Sequence, residues 1–161
     1  MLISVHDRAY DQGNVLDGYL DAVAIGYTLG PPYGETLVTW SELERIEIPR
    51  RRLRRHAVGN LEEMLDSVHI YGQPPALMLS FNGLESSVLL VDEFWEGLAE
   101  SVPGELVVGV PARDVVIITG SRSHTGLEKA TRAVDRVFYA NGPNLLLRDL
   151  LVWRDGEWDQ F

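Results

Sequence analysis

Glu105-Leu-Val-Val-Gly-Val110-Pro-Ala-Arg-Asp114-Val-Val-Ile-Ile-Thr119 reads as strand, tight turn and strand. Both apolar runs are short, β-branched and bounded by turn residues, which favours strands over a buried helix. The chain then crosses a polar loop, Gly120 to Gly126, and enters a long segment ending near Asn141. Leu127, Ala130, Val134, Val137 and Phe138 recur there at helical spacing, with Arg132, Asp135 and Arg136 elsewhere on the wheel. Thr125-x-x-Glu128 has capping-box spacing.

Working outward, Ala76 to Phe81 forms a strand before Asn82-Gly83. That dipeptide closes a hairpin, or Ser87 caps a helix over Val88 to Ser101; the second gives a helix of ordinary length. Its inward residues are Val91, Phe94, Trp95 and Leu98. After Gly142-Pro143 a strand runs from Leu145 to Trp153, and Asp155-Gly156 turns Trp158 back onto the sheet. The second half, residues 76–161, therefore spells β-α-β-β-α-β, a ferredoxin-like order.

The first half is less patterned. Residues 1–21 form an arm or edge strand, with a turn at Gly13-Asn14. Ala22 to Leu29 and Glu35 to Thr39 pair as a hairpin around Gly30-Pro31-Pro32-Tyr33-Gly34. Ser41-x-x-Glu44 opens a short helix that stops before Pro49, and a longer one runs from there to about Asp66 with Leu53, Ala57, Leu61 and Met64 or Leu65 inward. Arginines in its first turn oppose the helix dipole, so acidic neighbours are expected to compensate. Gly72-Gln73-Pro74-Pro75 closes this part, residues 22–66 being hairpin plus helices. The expected class is α+β in one domain over residues 1–161: a mixed or antiparallel sheet with helices mainly on one face.

The chain has 161 residues, 45% of them hydrophobic, and no cysteine. That excludes disulfides, thiolate metal sites and cysteine nucleophiles. Met1-Leu-Ile-Ser-Val-His-Asp has neither a basic start nor a sustained apolar stretch, and no run is long enough to span a bilayer. A soluble cytoplasmic protein without membrane contact is expected. The net charge of −10 argues against general nucleic-acid binding and suits a cationic protein partner. Five of the 14 basic residues, Arg50, Arg51, Arg52, Arg54 and Arg55, lie within six positions; pairing with the chain's own acids is the simplest reading of that cluster.

The order of several short motifs resembles that of the YtpQ-like bacterial proteins, a domain family of unknown function. They are Val38-Thr39-Trp40-Ser41; Leu53 with Ala57-Val58-Gly59-Asn60-Leu61; Asn82-Gly83-Leu84-Glu85-Ser86-Ser87; Val110-Pro111-Ala112-Arg113-Asp114; and Leu150-Leu151-Val152-Trp153-Arg154-Asp155-Gly156-Glu157-Trp158. The resemblance covers roughly residues 20–160 and implies a shared fold in a bacterial cytoplasmic setting. This chain departs from the pattern at Glu85-Ser86-Ser87, where the family has an aspartate followed by Ala-Ser, and in a shortened N-terminal segment.

Candidate ligand-binding residues are Ser121, Arg122, Ser123, His124 and Thr125, at a strand-to-helix junction where amide N–H groups and the dipole favour an anion. The loop lacks a P-loop lysine and dinucleotide glycine spacing, and a well-capped solvated loop is the plainer reading. Arg113 and Asp114 are a second candidate, with a structural turn as the alternative. Asp92, Glu93, Glu96 and Glu100 form an acidic helix face offered as a protein-interaction surface. His6, His56, His69 and His124 show no metal-ligand spacing, and no cofactor, metal or catalytic constellation is assigned. The sequence points to a non-catalytic interaction or binding module, with a small-anion binder or enzyme using the 120–126 loop as the alternative.

Overall fold

The computed structural model describes residues 2–4, 13–29 and 36–161; the expected 30–34 loop, Glu35 and His6 lie outside them. The strands are β1 (Leu2–Ser4), β2 (Leu16–Tyr19), β3 (Val23–Gly26), β4 (His69–Gln73), β5 (Ala76–Ser80), β6 (Leu106–Ala112), β7 (Val115–Gly120), β8 (Leu151–Arg154) and β9 (Glu157–Gln160). The helices are α1 (Trp40–Leu43), α2 (Arg50–Glu62), α3 (Asp92–Ala99) and α4 (His124–Ala140), with 3-10 segments at Leu65–Ser67 and Glu85–Leu90. The protein is α+β with antiparallel strands: a small sheet ordered β1-β3-β2 and a six-stranded sheet ordered β4-β5-β7-β6-β8-β9.

The β6–β7 hairpin is the middle of the large sheet. All seven residues of β6 and five of β7 are buried, because strands covered on both faces need apolar side chains at every position. Val108, Val110, Val116 and Ile118 join Trp95, Phe81 and the N-terminal residues Val15, Ile25 and Val38 in one core. Ile117 points the other way, against Ala130 and Val134 of α4. Leu43 of α1, Leu53 of α2 and Trp95 of α3 belong to the first core, so the helices lie mainly on one face, as expected, while α4 covers the other. Handedness explains this. β5 crosses to β6 through α3, and β7 crosses to β8 through α4; both steps run in the same direction along the sheet from oppositely directed strands. Right-handed crossovers of that kind place their helices on opposite faces. The ferredoxin-like order therefore holds along the chain, while β8 pairs with β6 and the place beside β5 belongs to β4.

Local chemistry moved several boundaries. The first capping box is Thr39-x-x-Glu42, with Thr39 N–H donating to Glu42 Oε2 at 2.8 Å and Glu42 N–H to Thr39 Oγ1 at 3.3 Å, not Ser41-x-x-Glu44. Likewise α4 is capped by Ser123 Oγ, which accepts from Gly126 N–H at 3.2 Å, two residues before the expected Thr125. Asn82 and Gly83 take positive φ and close a tight turn, Leu84 N–H to Phe81 O at 2.9 Å, that leads into the 3-10 segment; α3 starts only at Asp92. The expected strand from Leu145 is irregular up to β8, and the second hairpin strand of the first half is reduced to a bridge between Thr28 and Leu37. Asp155 and Gly156 make the expected turn, and Trp153 lies opposite Trp158.

Candidate functional site

The sequence-predicted ligand residues do not converge. Arg113 and Asp114 turn β6 into β7, whereas Ser121 to Thr125 follow β7. A strand of that length separates the two groups by roughly 20 Å at about 3.3 Å per residue. The loop also spends its amides on the protein itself. Ser121 N–H donates to Glu105 O, Arg122 N–H to Pro103 O and Ser123 N–H to Gly120 O, at 2.8, 3.0 and 2.9 Å. Ser121 Oγ accepts from Glu105 N–H at 2.8 Å. His124 is almost fully exposed, 3.3 Å from Glu128 in the next turn. Few donors are left to cradle an anion. The Arg113 backbone is likewise occupied: its carbonyl accepts from Ser86 N–H at 2.9 Å, and its N–H donates to Asn144 O at 3.0 Å.

Asp92, Glu93 and Glu96 are exposed on α3, and Glu100 follows at its C-cap. Asp92 and Glu93 sit in the first turn, where carboxylates complement the dipole. The arginine cluster is partly absorbed by the fold. Arg50 pairs with Asp17 and stacks 5.8 and 5.7 Å from the Tyr27 and Trp40 ring centres, and Arg54 lies 5.4 Å from that of Tyr19. Asp17 is the acidic neighbour that the first turn of α2 needed. Partial burial pushes its carboxyl up, but hydrogen bonds from Arg50 and Tyr27 and the charges of Arg50 and Arg54 outweigh this and hold it below the ordinary value. Burial pushes the Tyr19 hydroxyl up to about 12, despite Arg54 nearby.

What composition and spacing did not disclose is a groove of about 430 Å³ between β3, the segment after α1, α2 and the Glu85–Leu90 segment. Ile25, Ile48, Leu53, Leu61, Leu84 and Leu90 line it. Ser87 belongs to the same wall, is 1% exposed, and its Oγ has no hydrogen-bond partner. Glu85 beside it is also buried: Oε1 accepts from Phe81 N–H at 2.8 Å and Gly83 N–H at 3.2 Å, while Oε2 is unpartnered. Leaving a buried polar atom unpaired costs roughly 1–3 kcal/mol, so two within three residues mark this segment. A sequence signal existed: Glu85-Ser86-Ser87 is enclosed by Leu84 and Val88-Leu89-Leu90-Val91, leaving no solvated side for it.

The second unforeseen feature is β4. It ends the large sheet, and all five residues of His-Ile-Tyr-Gly-Gln are exposed, Ile70 and Tyr71 among them. None carries Lys, Arg, Asp or Glu, the usual guards of an open edge, whereas β9 at the opposite edge bears Glu157 and Asp159.

Among the described residues no His, Asp or Glu group is arranged to hold a metal, and no helix is long and apolar enough to cross a membrane. No family model and no solved structure matches the chain. It is 26% identical over 146 residues to a UPF0354 protein of Halalkalibacterium halodurans, covering 89% of this chain and 55% of that protein. A UPF0354 protein of Listeria welshimeri is 30% identical over 120 residues, 72% of this chain and 44% of the relative. One from Staphylococcus saprophyticus is 26% identical over 127 residues, 76% and 44% respectively. The chain thus spans about half the length of these curated relatives. They are bacterial proteins of an uncharacterised family, in agreement with the expected kind of family; the name they carry is UPF0354 rather than YtpQ-like.

Proposed function

We propose that the protein is a binding module that adds an extended segment of a basic partner protein to its sheet along β4. The observation that carries this reading is the exposure of an outer strand with no ionised guard residue. Such a strand offers a row of outward N–H and C=O groups, and an added strand gains main-chain hydrogen bonds with pockets for alternate side chains. The partner is basic because the chain carries a net charge of −10, which attracts a cationic protein at long range and leaves the uncharged β4 to make the local contact. The exposed acids of α3 contribute to the same field. A cytoplasmic setting belongs to this proposal.

The test uses synthetic eight-residue peptides alternating Lys with Thr and Val, titrated into isotopically labelled protein at low and moderate salt. Amide shifts centred on residues 69–73, weakening with salt and lost in Ile70→Lys/Tyr71→Lys, support the reading. Shifts confined to β9 or to the 120–126 loop, or none at all, overturn it.

A further inference from the structure

The groove beside α2 is separate from the β4 edge, and its chemistry is independent of that reading. Its walls are mostly aliphatic, and its size falls in the range of small-molecule sites, about 300–1,000 Å³. Two polar features narrow the occupant. The Ser87 hydroxyl is buried in the wall with nothing to bond. The cationic side chain that lines the groove, Arg54, is exposed on α2 and so stands at its mouth. A carboxylate beside Ser87 would lose its hydration with no counter-charge, so the group that reaches Ser87 is neutral. A charged end belongs outside, on the Arg54 side and away from Glu63 at the other end of α2.

We propose that this groove binds a chain-like aliphatic acid carrying a neutral hydroxyl or carbonyl partway along its chain. The carboxylate sits by Arg54, the methylenes lie against Leu53, Leu61 and Leu90, and the neutral group pairs with Ser87 Oγ.

Isothermal titration of decanoate, 1-decanol and the 3-, 5- and 8-hydroxydecanoates tests it. At least one hydroxy acid should bind the wild type about 5–10-fold more tightly than decanoate, the gain that a buried neutral hydrogen bond gives. Ser87→Ala, which removes an unpartnered hydroxyl and should keep the fold, brings that ratio to one and leaves decanoate unchanged. Arg54→Gln weakens the acids but not the alcohol, and Ala57→Trp, which fills the groove, removes binding of all of them. Absence of binding to the wild type overturns the proposal, as does a hydroxy-acid preference that survives Ser87→Ala.

Discussion

Gly126→Ala should destabilise the protein, although in an average helix the same change stabilises by about 1 kcal/mol. Gly126 is buried in the first turn of α4, where the helix meets β7 and the β4–β5 turn. A Cβ there overlaps Thr119 Oγ1 and lies 2.7 Å from Pro75 O and 2.8 Å from Ser123 Oγ. Those atoms are already committed. Thr119 Oγ1 donates to Pro75 O at 2.7 Å, and Ser123 Oγ caps the helix on Gly126 N–H itself. Overpacking costs about 1–3 kcal/mol. Parting the buried Thr119 hydroxyl from its acceptor costs about 1–3 more, and disturbing the cap about 1. After the propensity gain, the net loss is about 4 kcal/mol, the middle of the range these terms give. With a urea slope near 2 kcal/mol per molar, the unfolding midpoint falls by roughly 2 M. In a Thr119→Ala background the cost should shrink by at least about 1 kcal/mol, since one colliding atom is gone. An unchanged or raised midpoint, or strict additivity of the two substitutions, would refute this account of the junction.

The Asp17–Arg50 pair predicts a pH dependence. Because the fold holds the Asp17 carboxyl below its ordinary value of 3.8, its stabilisation is full above that pH and is lost as pH falls through the folded value. Asp17→Asn should therefore cost about 1 kcal/mol at neutral pH and progressively less below pH ~4, read from urea midpoints across the acid range; a gap that widens on acidification contradicts the sign. Trp95→Phe should cost about 2–4 kcal/mol, because Nε1 donates to Val88 O at 2.7 Å in a fully buried site and the ring meets Phe94 and Trp158 edge-on. A loss below about 1 kcal/mol would show that the core closes around the smaller ring.

Patterns set by local chemistry were legible in the chain. β6, β7 and α4 follow from apolar periodicity, and the β8–β9 turn follows from Asp155-Gly156, since each signal is contained within its own segment. The caps show the limit. Thr39-x-x-Glu42 and Ser41-x-x-Glu44 satisfy the same rule, and only the docked chain, with Trp40 N–H on Gly13 O, selects between them. β4 was missed because none of its residues is buried, so no alternation was imposed on it, and Pro74-Pro75 suggested a break where a cis peptide makes a two-residue hairpin turn. The division of helices between two faces depends on which strand β8 joins, which periodicity does not encode. The groove was invisible for a similar reason: its walls come from segments about sixty residues apart, and Ser87 read as a helix cap rather than as an enclosed hydroxyl.

The Glu85–Leu90 segment accepts side chains from strands far before and far after it in the chain. Leu89 O takes the Tyr19 hydroxyl at 3.3 Å and Trp158 Nε1 at 3.2 Å, while the neighbouring Val88 O takes Trp95. During synthesis on the ribosome, β1 to β3 therefore emerge long before the tryptophan that fastens the segment they lean on. Until β9 has been translated, Leu89 O lacks one of its two side-chain donors, and that interval is when a chaperone would find the segment.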